Sequence, residues 1–174
     1  MSHIKVTTEI DAPVETVFAY VDDYRNTTKY MRDLTRWAPV GSKSHGKGAV
    51  FEVAMKAGPK LLESVIEMDA WTENRSIGWA STDGFDQKGK WTFKAKGHGT
   101  EAVFEMDYEL GGGIAGRLIG RTIEPLVRMS VEKSVELMRQ QAEKLAAKTA
   151  TKGTVGVTGK ATAKPVAKKT PARR

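Results

Sequence analysis

Five hydroxyl side chains stand where a ligand or a reaction could use them, because each is expected to face the protein interior. They are Ser64, Ser81, Tyr108, Ser130 and Ser134. Buried hydroxyls normally have hydrogen-bond partners, and a helical serine can bond the carbonyl four residues back. Scattered hydroxyls among aromatic and methionine side chains are also typical of a ligand pocket. The sequence therefore leaves two interpretations open, local bonding and ligand contact.

No catalytic set is visible beside these hydroxyls. Cysteine is absent, which excludes disulfides, thiolate metal sites and a cysteine nucleophile. We find no Ser/His/Asp combination and expect no pair of inward-facing carboxylates. Glu124 and three arginines of the predicted C-terminal helix, Arg117, Arg121 and Arg128, could reach a pocket rim. An arginine there can pair with a carboxylate or enolate oxygen, although a solvated face is the commoner role.

Two further patterns contain residue types that bind cofactors or metals, but they lack the context that such sites need. The segment GGGIAG, residues 111–116, matches the G-x-G-x-x-G pattern of dinucleotide-binding turns. No parallel strand follows the helix that it opens, so we predict a strand-to-helix turn, with a hinge at a pocket mouth as the alternative. His3, His45 and His98 have no helical partner four residues away, so we expect solvated histidines. We predict neither a metal site nor a cofactor.

The spacing of apolar residues along the chain predicts the strands and helices that must position these residues. HIKVTTEI alternates as a half-buried strand, and helical patterns follow over residues 13–23 and 24–31. From Leu34 to Leu110 a period of two returns with regular glycine-containing turns, which predicts an antiparallel meander. One sheet face is charged and the other apolar. The apolar face is predicted to carry Phe51, Val53, Met55, Leu62, Ser64, Ile66, Met68, Ile77, Trp79, Ser81, Trp91, Phe93, Ala95, Ala102, Phe104, Met106, Tyr108 and Leu110.

A long helix is predicted from the glycine run to about Lys148, with Pro125 breaking or kinking it near its start. Its apolar stripe, flanked by Ser130 and Ser134, is Ile119, Ile123, Val127, Val131, Val135, Met138, Ala142 and Leu145. The apolar sheet face is the only surface large enough to cover this stripe. The predicted fold is therefore α+β: a curved antiparallel sheet of seven strands wrapped around a long C-terminal helix, with two short helices after strand 1.

Charge divides the chain into two parts. Residues 1–143 contain 19 basic and 21 acidic residues, whereas residues 144–174 contain 9 basic residues and no acidic one. From Thr149 onward there is no aromatic, Leu, Ile or Met residue. We therefore predict a folded domain over 1–148 and a disordered basic tail over 149–174. The tail has two open roles, solubilisation or weak, nonspecific, salt-sensitive contact with nucleic acid.

Targeting signals are absent from the sequence. The N-terminal residues contain no apolar core of a signal peptide, and no apolar run is long enough to span a membrane. We therefore expect no membrane span and a cytoplasmic location.

Three stretches carry a family pattern: IDAPVETVFAYVDDY, KWTFKAKGHGTEAVFEMDYEL and LGGGIAGRLI. Over about residues 3–147 the sequence resembles the START-like helix-grip (SRPBCC) superfamily, and within it the bacterial polyketide cyclase/dehydrase-type proteins. The resemblance implies a deep, mainly apolar cavity between sheet and helix. The inward positions predicted to line it are Phe51, Val53, Met55, Ile66, Trp79, Ser81, Trp91, Phe93, Phe104, Met106, Tyr108, Val127, Ser130, Val131 and Ser134.

Three functional hypotheses follow. The first is binding or transport of a hydrophobic small molecule of lipid, polyketide or polyprenyl type. The second is a polyketide aromatase/cyclase-like enzyme, because ring closure needs little beyond positioning and a proton shuttle. The third is a nucleoid-associated module that acts through the basic tail. A binder returns its ligand unchanged, a cyclase does not, and tail-driven binding should vanish when residues 149–174 are removed.

Overall fold

The computed structural model describes residues 1–109 and 113–154, with side chains described for 1–109 and 124–151. The elements are β1 Ser2–Ile10, α1 Val14–Asp22, α2 Tyr24–Tyr30, β2 Leu34–Pro39, β3 Val50–Ala57, β4 Lys60–Thr72, β5 Ser76–Gly84, β6 Asp86–Lys96, β7 Gly99–Glu109 and α3 Gly113–Thr154. The predicted order of elements is confirmed. Outside the described part lie Leu110, most of the glycine-run turn, the side chains of Ile119, Ile123, Arg117 and Arg121, and the tail beyond Thr154.

The seven strands form one antiparallel sheet in the order β1-β7-β6-β5-β4-β3-β2. Strands β1 and β2 are therefore the two edges, although they are neighbours in the chain. The helices α1 and α2 connect these edges across the sheet, with α1 contacting β6 and β7 and α2 contacting β2. This arrangement covers part of the apolar face and confirms the predicted α+β helix-grip fold.

Helix α3 packs against the sheet and against both short helices. Val127, Val131, Val135, Met138 and Ala142 are buried, which confirms the central part of the predicted stripe. The helix is tied to the rest of the domain by polar contacts: Gln141 donates to the Lys29 carbonyl at 3.2 Å, the Tyr20 hydroxyl donates to Gln141, and Asp11 N–H donates to Glu143 at 3.1 Å.

Four details of the sequence-based fold are wrong. Leu145 is 41% exposed, because Ala142 and Ala146 make the contact at that end of the helix. Ala95 is exposed, because it lies beside the β6–β7 turn rather than over the core. Of the break or kink predicted at Pro125, the break is wrong, because one helix runs through this residue. The helix also continues to Thr154, and there the Thr149 and Thr151 hydroxyls donate to the carbonyls four residues back.

Candidate ligand-binding site

A cavity of about 80 Å³ lies between the concave sheet face, α2 and α3. A single water needs about 10 to 15 Å³ of such space, so the cavity holds roughly six waters. All four tryptophans of the chain line it. The other apolar and aromatic lining residues are Val21, Tyr24, Tyr30, Met31, Leu34, Phe51, Val53, Met55, Met68, Ile77, Phe104, Met106 and Val131.

The aromatic walls are packed against one another. Trp91 meets Phe104 edge-on with ring centroids 5.0 Å apart, and Trp79 lies 5.8 Å from the same phenyl ring. A Cβ atom at Gly89 would lie 2.2 Å from the Trp79 ring, so only glycine lets this indole lie against β6. Such mutual contacts fix the shape of the apolar walls before any ligand binds.

One cluster of contacting side chains at the cavity consists of Asp22 at the end of α1, Trp71 on β4 and His45 in the β2–β3 loop. The Trp71 indole N–H donates to Asp22 Oδ1 at 2.8 Å, and His45 Nδ1 lies 2.7 Å from Asp22 Oδ2. The His45 ring also meets Trp71 edge-on at 5.1 Å. A neutral His45 that donates from Nδ1 presents an unprotonated Nε2, which is a proton acceptor.

A second cluster joins α3 to the turn before β2. The Ser130 hydroxyl donates to Asp33 Oδ2, and the Ser134 hydroxyl donates to the Ser130 carbonyl at 2.8 Å. All three residues line the cavity. Local bonding is therefore correct for Ser134, whereas Ser130 bonds a carboxylate that the sequence did not place. Asp22 and Asp33 both line the cavity, and the sequence analysis placed neither carboxylate there.

Residues 1–148 match the family described as polyketide cyclase / dehydrase and lipid transport. The chain belongs to this family. No protein of curated function matches the sequence significantly.

Solved structures show the same fold in proteins of low sequence identity. A protein from Thermus thermophilus superposes with a TM-score of 0.72 at 23% identity, over 84% of this chain and 99% of its own. The Zhui aromatase/cyclase from a Streptomyces species gives 0.69 at 14% identity, over 82% and 94%. A START superfamily protein from Mycobacterium smegmatis gives 0.61 at 14% identity, over 84% and 98%. These likenesses establish the fold and confirm the helix-grip resemblance.

Ten of the side chains predicted to line a cavity in this polyketide cyclase/dehydrase family member do so. They are Phe51, Val53, Met55, Trp79, Trp91, Phe104, Met106, Ser130, Val131 and Ser134. Their contact with a ligand stays a prediction.

The five others face the same side of the fold but lie away from the cavity. Phe93 packs edge-on against Phe18 of α1 at 5.7 Å, and the Tyr108 ring lies 6.1 Å from Phe85. The Ser81 hydroxyl accepts from the Gln87 backbone at 3.0 Å in the β5–β6 hairpin. Ile66 and Val127 are buried in the core.

Two buried polar atoms, the Trp37 indole nitrogen and the Tyr108 hydroxyl, have no hydrogen bond of good geometry among the described residues, although the Ser2 side chain lies beside the Tyr108 phenol. Burial raises the pKa of the Tyr108 phenol, so it stays protonated at neutral pH. Ser64, by contrast, accepts from the Gln87 side chain at 2.9 Å, which satisfies another of the predicted inward hydroxyls.

The remaining candidates lie at the surface. Arg128 donates to the His3 carbonyl at 3.3 Å, and neither Arg128 nor Glu124 lines the cavity. The three histidines are exposed, as expected: His3, His45 and His98. The His3 ring also bonds Asp107 at 2.7 Å and thereby lowers the pKa of that carboxyl. Of the residues with described positions, no three His, Asp or Glu side chains could share a metal ion. No described helix is long and apolar enough to cross a membrane.

Proposed function

We propose that this chain binds an apolar small molecule in the cavity between its sheet and α3. The observation that carries the proposal is the convergence of all four tryptophans on one unfilled space. Protein interiors are packed as densely as organic crystals, so an opening walled by aromatic and methionine side chains is typical of a ligand pocket. The family's description, which includes lipid transport, supports the same class of ligand.

The size of the cavity limits the first occupants to test. Its roughly 80 Å³ suits a ligand of one or two rings or a short chain. A long lipid or polyprenyl chain would require wall side chains to move, and methionines such as Met31, Met55 and Met68 can adapt in this way. The proposal therefore covers the lipid, polyketide and polyprenyl classes and begins with small aromatic probes.

Titration with 4-phenylbutan-1-ol tests this proposal. At about −0.4 to −0.5 kcal/mol for each of its roughly 11 heavy atoms, binding should have a Kd of about 0.1 to 1 mM. Tryptophan emission should change along the same saturable curve as the calorimetric heat, because every indole lines the site. Heat without a saturable change in emission would place the alcohol elsewhere and contradict the proposal.

A cyclase-like activity is the second candidate, and the Asp22–His45 pair favours it. In this pair a carboxylate orients an imidazole whose other nitrogen can accept a proton at an apolar cavity. Intramolecular aldol closure of a linear poly-β-ketone followed by dehydration releases one water. A cyclase would return a product lighter by one water, and His45→Gln would slow its formation. With a binding protein, the poly-β-ketone would close its ring no faster than it does without protein.

The nucleoid hypothesis and the cytoplasmic location stay predictions. The basic residues from Lys160 to Arg174 lie beyond the described part of the chain, and no observation on the described residues favours contact with nucleic acid.

A further inference from the structure

The cavity wall carries two carboxylates, Asp22 and Asp33. Among the described residues these are its only carboxylates, its only imidazole is His45, and no lysine or arginine lines it. An apolar space with two carboxylates and no lysine or arginine disfavours an anionic ligand, because like charges repel more strongly beside apolar walls than in bulk water. The described wall therefore suits a neutral or cationic occupant.

The two carboxylates differ in what they have left to offer. Both oxygens of Asp22 are engaged, one by the Trp71 indole and the other by His45. Asp33 has one described side-chain partner, Ser130, and that contact uses Oδ2. An ionised carboxylate has about four acceptor positions on its two oxygens. Asp33 therefore differs from Asp22 in keeping one oxygen, Oδ1, without a described side-chain partner at the cavity wall.

The apolar walls add a second attraction for a positive charge. The faces of indole rings attract ammonium groups, and tryptophan does so better than tyrosine or phenylalanine. Trp37, Trp71, Trp79 and Trp91 surround the same space that Asp33 borders. A cation bound near Asp33 would thus share the cavity with a carboxylate and these indole rings.

We propose that the ligand is an apolar molecule with a protonated amine, and that the amine donates a hydrogen bond to Asp33 beside Ser130. This inference rests on the proposed binding function and adds the ligand's polar group to it. The carboxylate holds the ammonium group, and the tryptophans enclose the apolar body.

Three probes of nearly equal size separate charge from apolar contact: 4-phenylbutylamine, 4-phenylbutan-1-ol and 4-phenylbutanoate. Calorimetry at pH 7 should show the amine binding about tenfold tighter than the alcohol, because hydrogen bonds between ions are stronger than neutral ones. The carboxylate should bind more weakly than the alcohol. Asp33→Asn, which keeps the side-chain shape, should reduce the amine's advantage to less than about threefold and leave the alcohol's Kd within about threefold.

Two control variants locate the effect. Glu132→Gln removes an exposed carboxylate of α3 that does not line the cavity, and it should preserve the amine's advantage. Ser130→Ala keeps the Asp33 charge and should preserve it as well. An amine that binds wild type no tighter than the alcohol, or an advantage that survives Asp33→Asn, would overturn the inference while the binding function stands. If none of the three probes binds, the proposed function itself fails.

Discussion

Replacing Ser130 by tryptophan is expected to weaken binding of 4-phenylbutan-1-ol at least tenfold while changing the free energy of unfolding by less than about 1 kcal/mol. Ser130 is half-buried on α3 and lines the cavity, so the introduced indole should occupy the space that the ligand needs. The variant loses the hydrogen bond to Asp33, which contributes about 1 kcal/mol. Burial of the indole should offset most of that loss.

Lys133→Trp is the matched control for this substitution, because Lys133 is exposed on the same helix. It should leave both the affinity and the stability unchanged. If the space near Ser130 were filled, Ser130→Trp would instead overpack it and cost about 1 to 3 kcal/mol. Unchanged affinity in the Ser130 variant would mean that the probe binds outside the cavity.

Phe104→Ala is expected to give the largest loss of stability, about 3 to 5 kcal/mol. Phe104 is 0% exposed on β7, and its ring contacts both Trp79 and Trp91. Removing it would deprive two walls of the cavity of their support and enlarge a space that is already only partly filled. Urea unfolding followed by circular dichroism measures the loss.

Val103→Ala provides the comparison, because Val103 directly precedes Phe104 in β7 and points to the other, half-buried face. That change should cost less than about 1 kcal/mol. Equal losses in the two variants would mean that the inner face of β7 contributes no more to stability than the outer one, which contradicts the described core.

The inner face of the sheet could be predicted from the sequence because alternation alone assigns it. Trp91 and Met106 alternate with charged or polar neighbours, and a strand's side chains point to opposite faces with a period of two. The same rule could not distinguish the cavity wall from solid core. Phe93 has the same pattern as Trp91, yet α1 covers it through Phe18. The packing of α1 over the sheet is tertiary structure, which the alternation within a strand does not predict.

The polar part of the site could not be predicted, because it comes from element ends and loops. Asp22 ends α1, Asp33 precedes β2, and His45 lies in a glycine-rich loop. None of them belongs to a periodic pattern, and their partners Trp71 and Ser130 are distant in sequence. A carboxylate at a helix end normally indicates a cap or a solvated group, so no local signal separates these two from the other acidic residues.

Intermolecular nuclear Overhauser effects between isotope-labelled protein and 4-phenylbutan-1-ol test the central claim most directly. They report protons in close contact and so locate the probe without relying on a substitution. We predict contacts from the phenyl protons of the probe to the rings of Trp79, Trp91 and Phe104. Contacts confined to exposed apolar side chains such as Leu61 and Leu126, with none to the tryptophans, would contradict a binding site between the sheet and α3.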